Sequence, residues 1–194
     1  MLAVESRKDW GRHARRLPLL PALLVLLPTR FASAGEVQFG PFDIQTVFFI
    51  DKSDDHNRVE YGLRLDASCV PVGKTPVFLY WREFEPPPPV RVKKSGVLDQ
   101  VGYGIAEQRV VQQSAAGTVL FMELKQVRRP ILVTIHKDAN GRCTALPRMT
   151  IAGVPDAELL SSHVTLAGFL RVAHIDLFGR DSATGAVITE RLRP

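Results

Sequence analysis

Apolar and polar residues alternate along much of this chain, and a period of two predicts β-strands rather than helices. In the segment 58–66, Val59, Tyr61 and Leu63 alternate with charged residues. This pattern suits a strand with one face in the core and one in water. Similar runs predict further strands at residues 105–112, 118–124, 131–135, 142–150, 163–170, 171–178 and 186–192.

Two segments, 46–50 and 76–84, are apolar on both faces, which predicts strands in the centre of a sheet. Asp138–Gly141 and the segment 179–185 supply turn residues for two hairpins. We therefore expect a mainly β fold, an antiparallel β-sandwich or a sandwich-like barrel, formed by one domain over residues 35–194. At most one short helix is expected, around residues 155–161, where Pro155 suits a first helical turn.

The first 34 residues have the pattern of a secretory signal peptide. An arginine-rich start precedes an apolar run from Leu17 to Pro28, and the small residues Ala32 and Ala34 follow. We predict cleavage after Ala34. The run is shorter than the roughly 20 apolar residues that span a bilayer. We thus expect an exported protein, periplasmic or extracellular, with no transmembrane segment in the mature chain; the general and the twin-arginine export routes both stay open.

The charge balance changes once this leader is removed. The whole chain has 25 Lys and Arg against 20 Asp and Glu, and the leader contains six of the basic residues and two of the acidic ones. The mature chain is therefore nearly neutral. It has no excess of basic residues to neutralise phosphates, so we expect no nucleic-acid partner.

Two cysteines, Cys69 and Cys143, remain in the mature chain. An even number of cysteines in an exported protein predicts a disulfide. The alternative is a pair of metal-binding thiolates, but zinc sites usually have two cysteines close together in sequence, and these are far apart.

A run of four prolines follows Glu85 and predicts a stiff loop over residues 85–90, because prolines remove backbone donors and favour an extended conformation. The alternative function of such a run is a proline-rich ligand for the aromatic groove of a partner.

Several spaced aromatic and charged positions resemble a known family. They are the segments 47–53, 57–61, 76–82, 103–105, 176–179 and 189–194. Together they resemble the exported bacterial family called domain of unknown function 4833, over nearly all of the mature chain. This resemblance implies no established activity, cofactor or catalytic residue.

The densest polar segment contains Asp51, Ser53, Asp55 and Asn57 at alternate positions. Oxygen ligands at alternate positions can surround a calcium ion in a short loop. However, His56 stands where a calcium loop of this type needs glycine. The alternatives are a weak calcium site and a solvated hairpin loop, and we expect no other cofactor.

Trp81, Arg82 and Tyr103 form a candidate interaction surface, since these residue types contribute most to binding at protein interfaces. The alternative is a core tryptophan beside an ion pair of Arg82 with Glu83.

Catalytic residues are not evident in the sequence. Its serines lack the G-x-S-x-G pattern, and its histidines lack the spacing of a metal site. The leading hypothesis is a non-catalytic binding or adaptor module of the cell envelope, with an unknown envelope protein or a small ligand as partner. The alternative is an envelope hydrolase whose triad is assembled from distant residues. A concave pocket would favour a small ligand, and an exposed apolar patch would favour an adaptor.

Overall fold

The fold is a curled mixed β-sheet that forms a half-barrel. It is known from a computed structural model that describes residues 43–52, 56–84, 91–167 and 171–193. The predicted leader and the proline-rich loop 85–90 lie outside the described residues. Among these residues, no helix is both long and apolar enough to cross a membrane.

Eleven strands and one short helix make up the described part of the chain. The elements are β1 (Asp43–Lys52), β2 (Arg58–Leu65), β3 (Val77–Glu83), β4 (Arg91–Lys94), α1 (Val97–Gly102), β5 (Ile105–Ser114), β6 (Gly117–Leu124), β7 (Pro130–Lys137), β8 (Cys143–Ile151), β9 (Val154–Leu166), β10 (Val172–Arg180) and β11 (Val187–Leu192).

Neighbouring strands follow the order β4-β3-β2-β1-β9-β8-β7-β6-β5, and β10 pairs with both β9 and β11. The expected sandwich-like β fold is confirmed, and so is the prediction that the segments of β1 and β3 have neighbours on both sides. All pairs are antiparallel in the described sheet except β1 with β9, which is parallel. The sheet is therefore mixed rather than wholly antiparallel.

The long strand β9 joins the two halves of the sheet. One edge of β9 pairs first with β8, near Glu158, and then with β1, near Ser162. Its other edge pairs with β10. The predicted helix at 155–161 is wrong, because these residues belong to β9. The short helix is instead α1, between β4 and β5.

Both predicted hairpins are confirmed. β7 and β8 are joined through Asp138–Gly141, where Gly141 adopts a φ of +75° that favours glycine. β10 and β11 form the second hairpin. The predicted disulfide between Cys69 and Cys143 is also confirmed, and it ties the β2–β3 connection to the start of β8.

The core lies on the inner face of the curled sheet, and its largest fully buried side chains include Tyr61, Phe48 and Leu63. The rings of Phe48 and Tyr61 are stacked with centroids 4.4 Å apart. Alternation in β6 and β7 is nearly perfect, because Leu120, Met122 and the inward residues of β7 are fully buried while their neighbours are not.

Candidate functional site

A cavity of about 270 Å³ lies at one end of the half-barrel, beside α1. The strands β1, β3, β6 and β9 end at this cavity, and β10 begins there. Its walls are mainly apolar and aromatic. The lining residues are Ile50, Lys52, Tyr61, Trp81, Leu98, Asp99, Gly102, Tyr103, Leu124, Gln126, Val127, Ser162, Val164, Leu166, Val172 and Ile175.

An irregularity in β9 determines which of its side chains line the cavity. Ala157 and Leu159 point inward in the first half of the strand, and Ser162 and Val164 do so in the second half. The pairing register with β10 shifts between these halves, so that Leu160 is an extra residue. Because a one-residue shift exchanges the two faces of a strand, Ser162 lies on the inner face.

Ser162 is a polar residue in this apolar wall. It is 2% exposed, and its hydroxyl has no hydrogen-bond partner among the described residues. Most buried polar groups in proteins are hydrogen-bonded. The hydroxyl is therefore available to a bound molecule.

Aromatic side chains form another part of the wall. The rings of Trp81 and Tyr103 meet edge to face with centroids 5.9 Å apart, and the Lys52 ammonium lies 5.5 Å from the centre of the Trp81 ring. The Tyr61 hydroxyl donates a hydrogen bond of 2.6 Å to the Tyr103 carbonyl oxygen. Burial, with a smaller contribution from Tyr103, raises the pKa of the Tyr61 phenol, so this group stays a protonated donor.

The helix α1 forms the exposed edge of the cavity. It has no buried residue, and Val97, Leu98 and Val101 are largely exposed. The helix is held in place by Lys125, the residue that follows β6. The Lys125 ammonium donates a hydrogen bond of 2.8 Å to the Gln100 carbonyl oxygen. One side of the cavity is thus closed by a short element with few contacts.

The part of the chain that forms the cavity matches a recognised family of domains. The model of the family described as Domain of unknown function (DUF4833) matches residues 48–191. The chain belongs to this family. The match confirms the resemblance found in the sequence, and the DUF4833 region contains every residue that lines the cavity. No curated protein and no solved structure matches the chain.

The residues predicted as an interaction surface in this DUF4833 chain are divided between two faces of the sheet. Trp81 and Tyr103 come together in the cavity wall. Arg82 lies on the outer face, where it donates to both carboxylate oxygens of Glu60, at 2.5 and 2.9 Å. Arg82 therefore pairs with Glu60, not with Glu83 as the alternative required, and Trp81 faces the cavity.

The polar segment 51–57 is only partly described. Asp51 lies beside His163, its partner in the parallel pairing of β1 with β9. The Asn57 side-chain oxygen accepts a hydrogen bond of 3.0 Å from the Phe84 backbone. Ser53 and Asp55 lie outside the described residues. In the part of the chain that the structure describes, no group of three or more His, Cys, Asp or Glu side chains could hold a metal ion, and the calcium site stays a prediction.

The outer face of β9, β10 and β11 has a cross-strand polar cluster. The Arg191 guanidinium donates to both oxygens of Asp176, at 2.7 and 3.0 Å, and His174 lies 3.5 Å from the same carboxylate. The hydrogen bonds from Arg191 are the main reason that the pKa of Asp176 lies below its ordinary value. This cluster is on the face opposite the cavity, so its histidine cannot assist Ser162.

The inward position of Ser162 was not predicted from the sequence. A signal was present, because the alternation Ala157, Leu159 and the alternation Val164, Leu166 are one residue out of phase. Such a change of phase inside a strand indicates a bulge. It would have placed Ser162 among the inward residues.

Proposed function

We propose that this protein is an exported, non-catalytic binding module of the cell envelope, and that its ligand is a small, mainly apolar molecule that enters the cavity beside α1. The observation that supports this function most directly is the cavity itself. It is concave and mainly apolar, with a few polar groups in its wall, as small-molecule sites generally are.

Export to an oxidising compartment is supported by two features. The residues 1–34 have the pattern of a cleavable leader. The disulfide between Cys69 and Cys143 fits a compartment in which such bonds persist. Periplasmic and extracellular locations both agree with these features.

Binding is favoured over hydrolysis by what surrounds the cavity serine. A serine nucleophile needs a base within hydrogen-bond reach. No histidine is among the described residues that line the cavity. His163 follows Ser162 directly in β9, but consecutive residues of a strand point to opposite faces. Among the described residues, the Thr144 hydroxyl lies 3.1 Å from the His136 ring nitrogen, but neither of these residues lines the cavity.

A second candidate function, an adaptor for a protein partner, is favoured by the exposed apolar side chains of α1. Val97 is 82% exposed and Leu98 is 86% exposed. Two results together would establish the adaptor in place of the ligand-binding function. One is a protein partner that is crosslinked in the envelope only when Val97, Leu98 and Val101 are present, and the other is a cavity that binds no small molecule.

The cavity can be tested with a reporter that the chain already contains. Of its two tryptophans, Trp10 lies in the predicted leader and Trp81 lines the cavity. The Trp10→Phe protein, purified after export, therefore reports on the cavity alone. We expect 1-aminonaphthalene, a small apolar probe, to change the Trp81 emission in a saturable manner.

A matched pair of variants locates the probe. Val172→Phe fills part of the cavity and is expected to weaken probe binding at least tenfold, whereas Val187→Phe, on an exposed residue outside it, is expected to have no effect. Circular dichroism checks that both variants are folded. Saturable binding that is equal in both variants, or absent from the parent protein, would overturn the proposed site.

A further inference from the structure

The unpartnered hydroxyl of Ser162 is unfavourable for the empty protein. The side chain is 2% exposed, so water does not reach it freely, and it has no hydrogen-bond partner among the described residues. A buried hydroxyl without a partner destabilises the folded state relative to an apolar side chain of similar shape. Alanine at this position would avoid this loss of stability. The presence of the hydroxyl therefore indicates a hydrogen-bond partner from outside the chain.

The surroundings of Ser162 restrict what this partner is. Val164 and Ile175, which also line the cavity, are apolar and almost fully buried. The charged lining residues are Lys52 and Asp99, which are only partly buried. Lys52 has its ammonium over the Trp81 ring, and the partner of Ser162 in the pairing of β1 with β9 is the apolar residue Ile50. An ionised group beside Ser162 would therefore lose its hydration in an apolar part of the wall, which is costly. The group that meets Ser162 should thus be neutral.

The size of the cavity limits the rest of the ligand. A cavity of 150 Å³ in another protein holds benzene, which has six non-hydrogen atoms. By that scale, the volume of about 270 Å³ accommodates roughly ten non-hydrogen atoms. The walls around this volume are aliphatic and aromatic, and they match a hydrocarbon body.

We propose that the ligand is a neutral amphiphile with one hydrogen-bonding group, a hydroxyl or a carbonyl, on an aliphatic or aromatic body of roughly ten non-hydrogen atoms. The polar group enters first and pairs with the Ser162 hydroxyl, and the body contacts Trp81 and the aliphatic wall. This inference rests on the proposed function, because it assigns the ligand class of the same cavity. Ser162 is a binding contact here and takes no part in a chemical step.

Two probes that differ in one group test the proposal. 1-Octanol and 1-fluorooctane have nearly the same size, but the fluorine atom cannot donate a hydrogen bond and accepts one poorly. Calorimetric titration of the exported parent protein and of its Ser162→Ala variant measures what the Ser162 hydroxyl contributes to the binding of each probe. Ser162→Ala should weaken the binding of 1-octanol about fivefold and leave that of 1-fluorooctane unchanged. Ser161→Ala, on the outer face of the same strand, should change neither affinity.

The unliganded variants give a second readout. Ser162→Ala should unfold at the same temperature as the parent protein or at a higher one, because it removes an unpartnered hydroxyl. A lower unfolding temperature would mean that the hydroxyl is satisfied within the protein, and it would overturn the inference. An equal effect of Ser162→Ala on the two probes would overturn it as well, while leaving the binding function in place. Failure of both probes to bind would contradict the proposed function itself.

Discussion

Glu60 shows how a single residue can differ from what its position in a pattern suggests. Alternation in β2 places it on the face away from Tyr61, where we expected water. In the fold it is 1% exposed, because Tyr80, Arg58 and Arg82 cover it. Burial alone would raise the pKa of the Glu60 carboxyl, but the hydrogen bonds from Arg82, Tyr80 and Arg58 outweigh burial and lower it.

The lowered pKa makes the contribution of Glu60 to stability dependent on pH. A carboxyl whose pKa is lower in the folded state stabilises the fold above its unfolded pKa, and the contribution is lost as the pH falls through the folded pKa. We expect Glu60→Gln to lower the free energy of unfolding by about 2 kcal/mol or more at pH 7, because a charged hydrogen-bond acceptor is removed. Urea unfolding measured over a pH series checks this value.

The difference between Glu60→Gln and the parent should narrow once the pH falls below the ordinary glutamate pKa of 4.5. Glu107→Gln, on an exposed residue of β5, is the matched control and should change little at any pH. A constant difference from neutral to acidic pH would mean that Glu60 acts through packing rather than through its charge.

Among the elements, the strands with regular alternation could be predicted from sequence and the irregular ones could not. β6 and β7 alternate both in sequence and in burial, whereas β2 alternates in sequence but is buried on both faces, and each was predicted. β9 contains a bulge at Leu160, which interrupts the period, and its first half was interpreted as a helix. The helix α1 has six residues, too few to show a helical period, and its apolar side chains are exposed.

The cavity could not be predicted at all, because it depends on contacts between distant parts of the chain. Trp81 and Tyr103 were singled out by residue type, and the fold brings them together. Alternation also implied that Trp81 and Arg82 face opposite sides of β3, which argues against one surface containing both. The pairing of β1 with β9 has no local signal in either segment.

The glycine after α1 offers a test of how the helix closes the cavity. A Cβ atom on Gly104 would clash with the Gln100 carbonyl oxygen, so Gly104→Ala must shift the end of the helix or the start of β5. We expect this variant to bind 1-aminonaphthalene at least threefold more weakly. The measurement is the Trp81 emission titration.

Gly96→Ala is the control for this experiment, since a Cβ atom there would make only an ordinary contact of 3.5 Å with the Asp99 carboxylate. It should bind the probe as the parent does. If Gly104→Ala binds equally well, α1 does not contribute to the site.

At the scale of the whole molecule, the leader and the disulfide together predict the form in which the protein exists. After export the intact mass should correspond to residues 35–194 minus two hydrogen atoms, since the two cysteines are joined. Reduction should lower the free energy of unfolding by about 4 to 5 kcal/mol, because the bridge spans 74 residues of the unfolded chain. Non-reducing mass spectrometry and urea unfolding measure these quantities.

The same chain expressed without its leader in a reducing cytoplasm is the control, and it should retain both thiols. A mass that includes residues 1–34 would contradict the predicted cleavage. Unchanged stability after complete reduction would show that the bridge does not restrain the unfolded chain.

The parallel pairing of β1 with β9 has a consequence for the order of folding. β1 lies between β2, its sequence neighbour, and β9, which begins more than a hundred residues later. A chain that emerges amino end first from an export channel presents β1 and β2 early, but one edge of β1 stays open until β9 arrives. High sequence separation between partners slows folding. The sheet, and the cavity that β9 lines, are therefore completed only after most of the chain has emerged. Until then the open edge of β1 is exposed to pairing with other chains, which favours aggregation.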